Sequence, residues 1–151
     1  MAKPRARQHD LFPALWGPHY WPVWHGATLF MSDAPDEDEQ QELREFFAAF
    51  GKRLPCADCR QHSRDGLAKN PPPVYSRAAM VRWGIDVHNA VNRAKGKRVL
   101  SYEEAVAHLS SLFGCCLEVP GLECVQPASP GRGILALAFG ALLGAAVFSH
   151  Q

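Results

Sequence analysis

The sequence lacks the features that mark several classes of protein. Its 16 Lys and Arg residues are nearly balanced by 15 Asp and Glu residues, so no net field attracts a polyanion and we expect no nucleic-acid partner. The first thirty residues carry charges and prolines but no apolar stretch before a small-residue cleavage site, so we expect no signal peptide. No segment shows the alternation of polar and apolar residues that predicts a β-strand.

Cysteine is scarce as well. The chain of 151 residues has five cysteines: Cys56, Cys59, Cys115, Cys116 and Cys124. That number is too small for a secreted disulfide scaffold, and because it is odd, at least one thiol is unpaired or reacts between molecules. The length suits one domain plus an appendage.

What the sequence does contain is helical periodicity. Apolar residues recur every three or four positions in segments bounded by helix start and stop signals. They predict five helices. The first three lie over about 18–31, from a start signal at 32–35 to Gly51, and over about 56–69. The fourth runs from Ser76 to 95–96, and the fifth runs from a capping box at Ser101 to Gly114. We therefore expect an all-α protein, an up-and-down four-helix bundle with a fifth short helix.

The C-terminal part has a different composition. A short linker rich in Pro and Gly precedes an uncharged run from Ile134 to Phe148, which predicts a transmembrane anchor over 134–149 that is slightly shorter than the roughly 30 Å hydrocarbon core. A buried core helix is the alternative, although it would show a polar stripe. The predicted boundaries are an N-terminal arm at 1–15, the helical domain at 16–114, a Cys-containing tail and linker at 115–133, and the anchor.

Cys56 and Cys59 are separated by two residues at the start of the third predicted helix. A helix N-terminus stabilises a thiolate, so the pair suits redox exchange. Zinc sites use the same spacing, but no second pair of cysteines here has a two-residue gap. Arg60 stands where a c-type haem site needs histidine, and a thioredoxin fold would place a strand before this helix.

Two helices carry aromatic and imidazole groups on one face. Trp21 and His25 are four residues apart, as are His88 and Asn92, the latter pair with Trp83 nearby on its helix. Either histidine alone is typical of a satisfied core or surface position. Together with a redox dithiol, the two faces predict a flavin held between helices.

In these motifs the sequence resembles the Erv/Alr family of FAD-linked sulfhydryl oxidases. The segment 21–25 is similar to the family's Trp-x-x-x-His element, and Cys56 and Cys59 are similar to its redox pair. The segment 88–92, which is followed by Gly96 and Lys97, is similar to its His-Asn-x-Val-Asn element. The resemblance implies that Cys56 exchanges with substrate, Cys59 faces FAD, and O2 is reduced to hydrogen peroxide. It implies FAD contacts at Gly17, Trp21, His25, Cys59, Trp83, His88, Val91, Asn92, Lys95 and Lys97.

The sequence departs from the family at several positions. Ile85 replaces a cysteine that ties the fourth helix to the fifth in relatives, and His108-Leu109 replaces an Arg-Trp pair that touches FAD. The short form with few structural cysteines resembles viral members. Cys116 and Cys124 are candidates for a second pair that shuttles electrons, with a structural loop disulfide or plain thiols as the alternatives.

The resemblance and the anchor together predict the surroundings of the protein. We expect a homodimer that takes electrons from a thioredoxin-like or small CxxC protein. A C-terminal anchor implies a cytosolic catalytic domain. We expect this domain to be held at a host intracellular membrane or a virion membrane. A dithiol oxidase in the reducing cytosol suggests a viral pathway of disulfide formation. A mitochondrial-type disulfide relay oxidase and a non-enzymatic, zinc-clipped helical adaptor are the alternatives.

Overall fold

The computed structural model describes residues 12–119 and 122–125. In this part of the chain it has five helices and two strands: α1 (Pro13–Leu29), α2 (Glu37–Lys52), α3 (Ala57–Lys69), α4 (Arg77–Ala94), α5 (Tyr102–Phe113), β1 (Leu117–Val119) and β2 (Leu122–Val125). The predicted helical fold is confirmed. α1 packs on α4, α2 on α3, and α4 on α5.

Local sequence signals determine most of the helix ends. Ser76 accepts a hydrogen bond from the backbone N–H of Ala79 at the start of α4, and the predicted capping box of Ser101 and Glu104 opens α5. Gly114 ends α5 with a φ of 65°, in the left-handed region that favours glycine. These three predictions are confirmed.

Two helix starts differ from the prediction. α1 begins at Pro13 rather than at Pro18. Proline fits the first turn of a helix, because backbone N–H groups there have no carbonyl partner within the helix. α2 begins after Asp36, whose carboxylate accepts a hydrogen bond of 2.8 Å from the N–H of Glu39. Asp36 therefore caps α2, and the segment 32–35 lies before the helix.

The prediction that no segment forms a strand is wrong for residues 117–119 and 122–125. β1 and β2 pair in an antiparallel hairpin, with Leu117 opposite Val125 and Val119 opposite Leu122. Leu117 and Val119 are buried and Glu118 between them is exposed. Three residues are too few for this alternation to be recognised in the sequence, and a two-stranded hairpin of this size depends on packing against other elements.

The core consists of two clusters that meet along α4. The first contains Leu29, Val81, Ile85, Leu100, Ala105, Val106, Leu109, Leu117 and Val119. The second contains Trp24, Met31, Phe47, Val74, Met80 and Trp83. Because α4 contributes to both, it is the central helix on which α1, α5 and the hairpin are assembled.

α1 and α4 approach closely at Gly84. A Cβ atom on Gly84 would lie 3.1 Å from Thr28 Cγ2 and 3.5 Å from Trp24 Nε1. The first distance is shorter than ordinary van der Waals contact, so a glycine at this position lets the two helices meet. The close approach sets the spacing between the helix faces that carry Trp21, His25 and His88.

None of the helices in the described ranges is long and apolar enough to cross a membrane. The predicted anchor at 134–149 lies outside the described residues, as do residues 1–11 of the predicted N-terminal arm.

Candidate active site

The redox pair lies at the N-terminus of α3. Cys56 and Cys59 form a disulfide with Cα atoms 5.1 Å apart. Cys56 is the N-cap residue, and its Sγ accepts a hydrogen bond from the backbone N–H of Cys59 at 3.2 Å. Both cysteines are partly exposed. A disulfide placed over the unpaired amides of a helix start is suited to thiol exchange, because these amides stabilise the thiolate that is released.

Arg60 fixes the segment of chain that leads to the disulfide. Its guanidinium donates a 2.6 Å hydrogen bond to the carbonyl of Leu54, across Pro55 and the two cysteines. α3 as a whole packs on α2, where a Cβ on Gly51 would overlap the hydroxyl of Ser63. The position of the disulfide is therefore set by the α2–α3 pair.

A second set of side chains lies between α1 and α4. His25 and His88 are both buried, and Nε2 of His25 lies 2.9 Å from Nδ1 of His88. The ring of Trp21 stacks on His88, with centroids 3.8 Å apart and planes 8° from parallel. The structure therefore unites the two helix faces that the sequence predicted to act together.

Burial keeps both imidazoles uncharged. It lowers the pKa of His25 to about 3, with a smaller contribution from nearby His108. It lowers the pKa of His88 to about 2, with smaller contributions from His25, His108 and Lys97. At neutral pH one ring therefore donates an N–H to the other, and the site presents flat, neutral heteroaromatic rings.

Aromatic side chains continue from this site into the second core cluster. Trp24 and Trp83 stack with centroids 5.1 Å apart, and Phe47 packs edge-on against both. Nε1 of Trp83 donates a 3.1 Å hydrogen bond to the carbonyl of Asn70. Nε1 of Trp24 is buried and has no hydrogen-bond acceptor among the described residues.

The C-terminal end of α4 supplies the polar residues of the predicted set. The carbonyl of Asn92 accepts hydrogen bonds from the N–H groups of Lys95 and Lys97, at 3.1 and 2.8 Å. Gly96 has a φ of 64°, which permits this tight turn. Asn92 is buried, Val91 is partly buried, and both lysine side chains are exposed.

Sequence reasoning assigned no role to Asn89, and its structural role depends on a contact with a later segment. Its side-chain amide donates to the carbonyl of Leu100 at 2.9 Å and accepts from the N–H of Leu100 at 3.1 Å. It thereby fixes the segment that joins α4 to α5. His108 on α5, which was not among the predicted site residues, contributes to the lowered pKa of both buried histidines.

These residues fit FAD. Trp21 and His88 offer flat rings, His25 and His88 offer neutral hydrogen-bonding nitrogens, and exposed Lys95 and Lys97 offer positive charge for a pyrophosphate. On Gly17, one turn before Trp21, a Cβ atom would meet no described atom within 4 Å, so there is open space beside this part of α1. The described part of the chain contains no cluster of three or more His, Cys, Asp or Glu residues that could hold a metal ion.

The fold and the site define an all-α redox domain, in which a disulfide at a helix start accompanies a face of aromatic and imidazole rings between two helices. The model of the Erv1 / Alr family matches residues 18–110 of the chain. The protein belongs to this family.

Two viral proteins named as FAD-linked sulfhydryl oxidases are similar to this chain. The chain is 36% identical over 89 residues to an FAD-linked sulfhydryl oxidase of African swine fever virus, covering 59% of this chain and 75% of the relative. It is 36% identical over 97 residues to a probable FAD-linked sulfhydryl oxidase, R368, of Acanthamoeba polyphaga mimivirus, covering 62% and 68%.

Solved structures agree on the fold. The crystal structure of the yeast Erv1 core superposes with a TM-score of 0.59 at 22% identity, covering 68% of this chain and 91% of that one. The crystal structure of the FAD binding domain of Erv1 from Saccharomyces cerevisiae superposes with a TM-score of 0.57 at 25% identity, covering 59% and 85%.

Proposed function

We propose that this protein is an FAD-dependent sulfhydryl oxidase that forms disulfides in protein thiols and passes the electrons to O2, giving hydrogen peroxide. The observation that carries the proposal is the Cys56–Cys59 disulfide at the start of α3, in a chain that belongs to the Erv1/Alr family. Bound FAD supplies the capacity to accept two electrons from a dithiol and to reduce O2.

The chain's own part is two thiol–disulfide exchanges. A substrate thiolate attacks Sγ of Cys56, the Cys56–Cys59 bond breaks, and Cys59 leaves as a thiolate. The second substrate thiolate then attacks the mixed disulfide and releases the thiolate of Cys56. The substrate is left oxidised, and its two electrons reside on the cysteine pair, with Cys59 as the sulfur that faces FAD.

The residues between α1 and α4 would hold the cofactor. The rings of Trp21 and His88 would offer it flat surfaces, and neutral His25 and His88 would offer hydrogen-bonding nitrogens without adding charge. The positions that contact FAD are Gly17, Trp21, His25, Cys59, Trp83, His88, Val91, Asn92, Lys95 and Lys97. Lys95 and Lys97 lie where the chain turns at the end of α4 and suit the pyrophosphate.

An exposed apolar face on α1 favours the homodimer. Phe12, Leu15, Val23 and Phe30 are 77, 68, 52 and 64% exposed and follow one another at helical spacing. The ring of Phe30 also packs edge-on against Phe113 of α5, which extends the face. Apolar side chains aligned in this way are typical of a protein–protein interface, and we assign the face to a second copy of the chain.

The proposal also assigns roles to the cysteines and the uncharged run in the C-terminal part of the chain. Cys116, directly before β1, is disulfide-bonded, while the side chain of Cys124 on β2 lies outside the described part. We assign Cys116 and Cys124 to a second pair that can pass electrons to the Cys56–Cys59 disulfide, beside the direct exchange of a thioredoxin-like or small CxxC protein at Cys56. The uncharged run at 134–149 would hold the catalytic domain on the cytosolic side of a host intracellular membrane or a virion membrane.

The test is spectroscopic and uses the purified full chain. The protein is expected to be yellow, to lose its flavin absorbance with dithiothreitol under nitrogen, and to regain it with O2 while hydrogen peroxide forms. Cys59→Ser is expected to keep the flavin and lose oxygen consumption, whereas the matched variant Cys115→Ser keeps both. Colourless protein with stoichiometric zinc would favour the zinc-clipped adaptor and overturn the proposal.

A further inference from the structure

Charge is segregated along α2 and α3 although the whole chain is nearly neutral. From 33 to 45 the sequence has seven acidic residues and one cation, Arg44. From 52 to 69 it has five cations and two acidic residues, Asp58 and Asp65. The cations of this basic segment are Lys52, Arg53, Arg60, Arg64 and Lys69. Positive charge is therefore in excess around the start of α3, where the redox disulfide lies, although Asp58 stands between the two cysteines.

The first two cations are held close to the disulfide by the chain itself. Lys52 ends α2 and Arg53 follows it, four and three residues before Cys56. Four residues span at most about 14 Å. Both side chains are exposed. The salt bridges found within the described residues are Arg77–Asp33 and Arg98–Glu104, so neither Lys52 nor Arg53 is neutralised there.

Arg60 fixes the short segment that connects these cations to the cysteines. Its hydrogen bond to Leu54 closes the segment that joins Arg53 to the disulfide. The acidic residues from 33 to 45 lie before these cations, and the last of them, Glu45, is seven residues before Lys52, about 10 Å along α2. That distance exceeds the Debye length of about 8 Å at physiological salt, so the field of the acidic residues is partly screened at the cysteines.

We propose that the surface formed by Lys52, Arg53 and the Cys56–Cys59 disulfide binds protein substrates whose reactive thiols lie in an acidic segment. The inference rests on the proposed oxidase function and names the chemical class of its substrate. Complementary charge raises the association rate and orients the partner, and it does so most for a partner with several negative charges. A protein thiol is the occupant because the surface contains the exchanging disulfide.

The experiment compares two peptides with the same Cys-x-x-Cys core, one flanked by four glutamates and one by four serines. The kcat/KM for oxygen consumption is measured for each with the flavin-loaded full chain. The glutamates also raise the pKa of the acidic peptide's own thiols. This effect is the same for every variant of the enzyme, so the change of the preference between variants reports the surface alone. The acidic peptide is expected to be preferred about tenfold at low salt, and the preference is expected to fall toward unity at about 0.5 M NaCl.

Two matched variants test whether Arg53 causes the preference for the acidic peptide. Arg53→Glu is expected to abolish the preference, whereas Arg44→Glu, the same change of charge on the acidic part of α2, is expected to preserve it. Circular dichroism and flavin content check that each variant is folded. Because the salt dependence is measured on the unaltered protein, the inference stays testable even if Arg53→Glu does not fold.

Three outcomes would overturn the inference: equal kcat/KM for the two peptides, a preference that survives Arg53→Glu, and inhibition by a short RNA at lower concentration than by the oxidised acidic peptide. The last would assign the surface to nucleic acid. Failure of the oxidase proposal is distinguishable, because in that case dithiothreitol, which lacks the acidic flanks, would not be oxidised either.

Discussion

His25 and His88 face each other across the contact of α1 with α4, with Nε2 and Nδ1 2.9 Å apart. Trp21, one turn before His25, covers His88 in a parallel stack. Because burial lowers both histidine pKa values far below neutrality, the two helices are joined by a neutral hydrogen bond. This contact determines the chemical character of the proposed flavin site, which is aromatic, polar and uncharged.

Stability is expected to fall as the pH drops below about 6.5. The unfolded chain takes up protons at His25 and His88 in that range, whereas the folded protein does not, because their folded pKa values are about 3 and about 2. The free energy of unfolding therefore falls by about 1.4 kcal/mol per pH unit for each histidine. Urea unfolding at pH 7, 6 and 5, with excess FAD, measures the slope.

The contribution of one histidine is isolated by substitution. His88→Gln is expected to lower stability at pH 7 and to make its decline with acid shallower, while His62→Gln, at an exposed position on α3, leaves the decline unchanged. Identical slopes for the unaltered protein and His88→Gln would contradict the assignment.

Replacing Trp21 with alanine is expected to weaken FAD binding about fivefold, because an aromatic stack contributes about 0.5–1.5 kcal/mol. Trp21→Phe keeps a flat ring and is expected to recover most of the affinity. The dissociation constant is measured by titrating FAD-depleted protein and following flavin fluorescence. Equal affinities for all three proteins would remove Trp21 from the cofactor site.

Gly84→Ala is expected to destabilise the protein by about 1–3 kcal/mol, because the new methyl group meets Thr28 Cγ2 at 3.1 Å. Adding Thr28→Ser removes that methyl group and keeps the hydroxyl, which donates to the carbonyl of His25 at 2.9 Å. The double variant is expected to regain stability in thermal unfolding.

The matched control for this prediction is Gly66→Ala on α3, where a Cβ meets no described atom within 4 Å. It is expected to leave stability unchanged or to raise it by up to about 1 kcal/mol, because alanine favours a helix over glycine. A loss equal to that of Gly84→Ala would show that the α1–α4 approach is not the cause.

Val23→Glu is expected to convert the proposed dimer to a monomer, because it places a charge on the exposed apolar face of α1. Val99→Glu is the control, since Val99 is also an exposed valine but lies between α4 and α5. Light scattering after gel filtration measures the mass. A Val23→Glu protein with the mass of the unaltered dimer would exclude this face as the interface.

Much of the fold follows from local sequence, for a physical reason. Ser76, Ser101 and Gly114 act within one helical turn, so their capping roles can be predicted without knowing what packs on them. The hairpin was missed because its strands are short and depend on the first core cluster, to which Leu117 and Val119 contribute. Asn89 lies in the predicted His88 to Asn92 motif, but its structural role could not be predicted because its partner, Leu100, lies eleven residues away.

By itself the sequence determined the helices, the redox spacing of Cys56 and Cys59, and the helix faces that carry Trp21, His25 and His88. These depend on interactions between residues a few positions apart. Only the tertiary structure decided that the faces meet, since the contact of His25 with His88 joins residues 63 positions apart. It requires the close approach of α1 and α4 at Gly84, and the burial that leaves both histidines neutral exists only once the helices have packed.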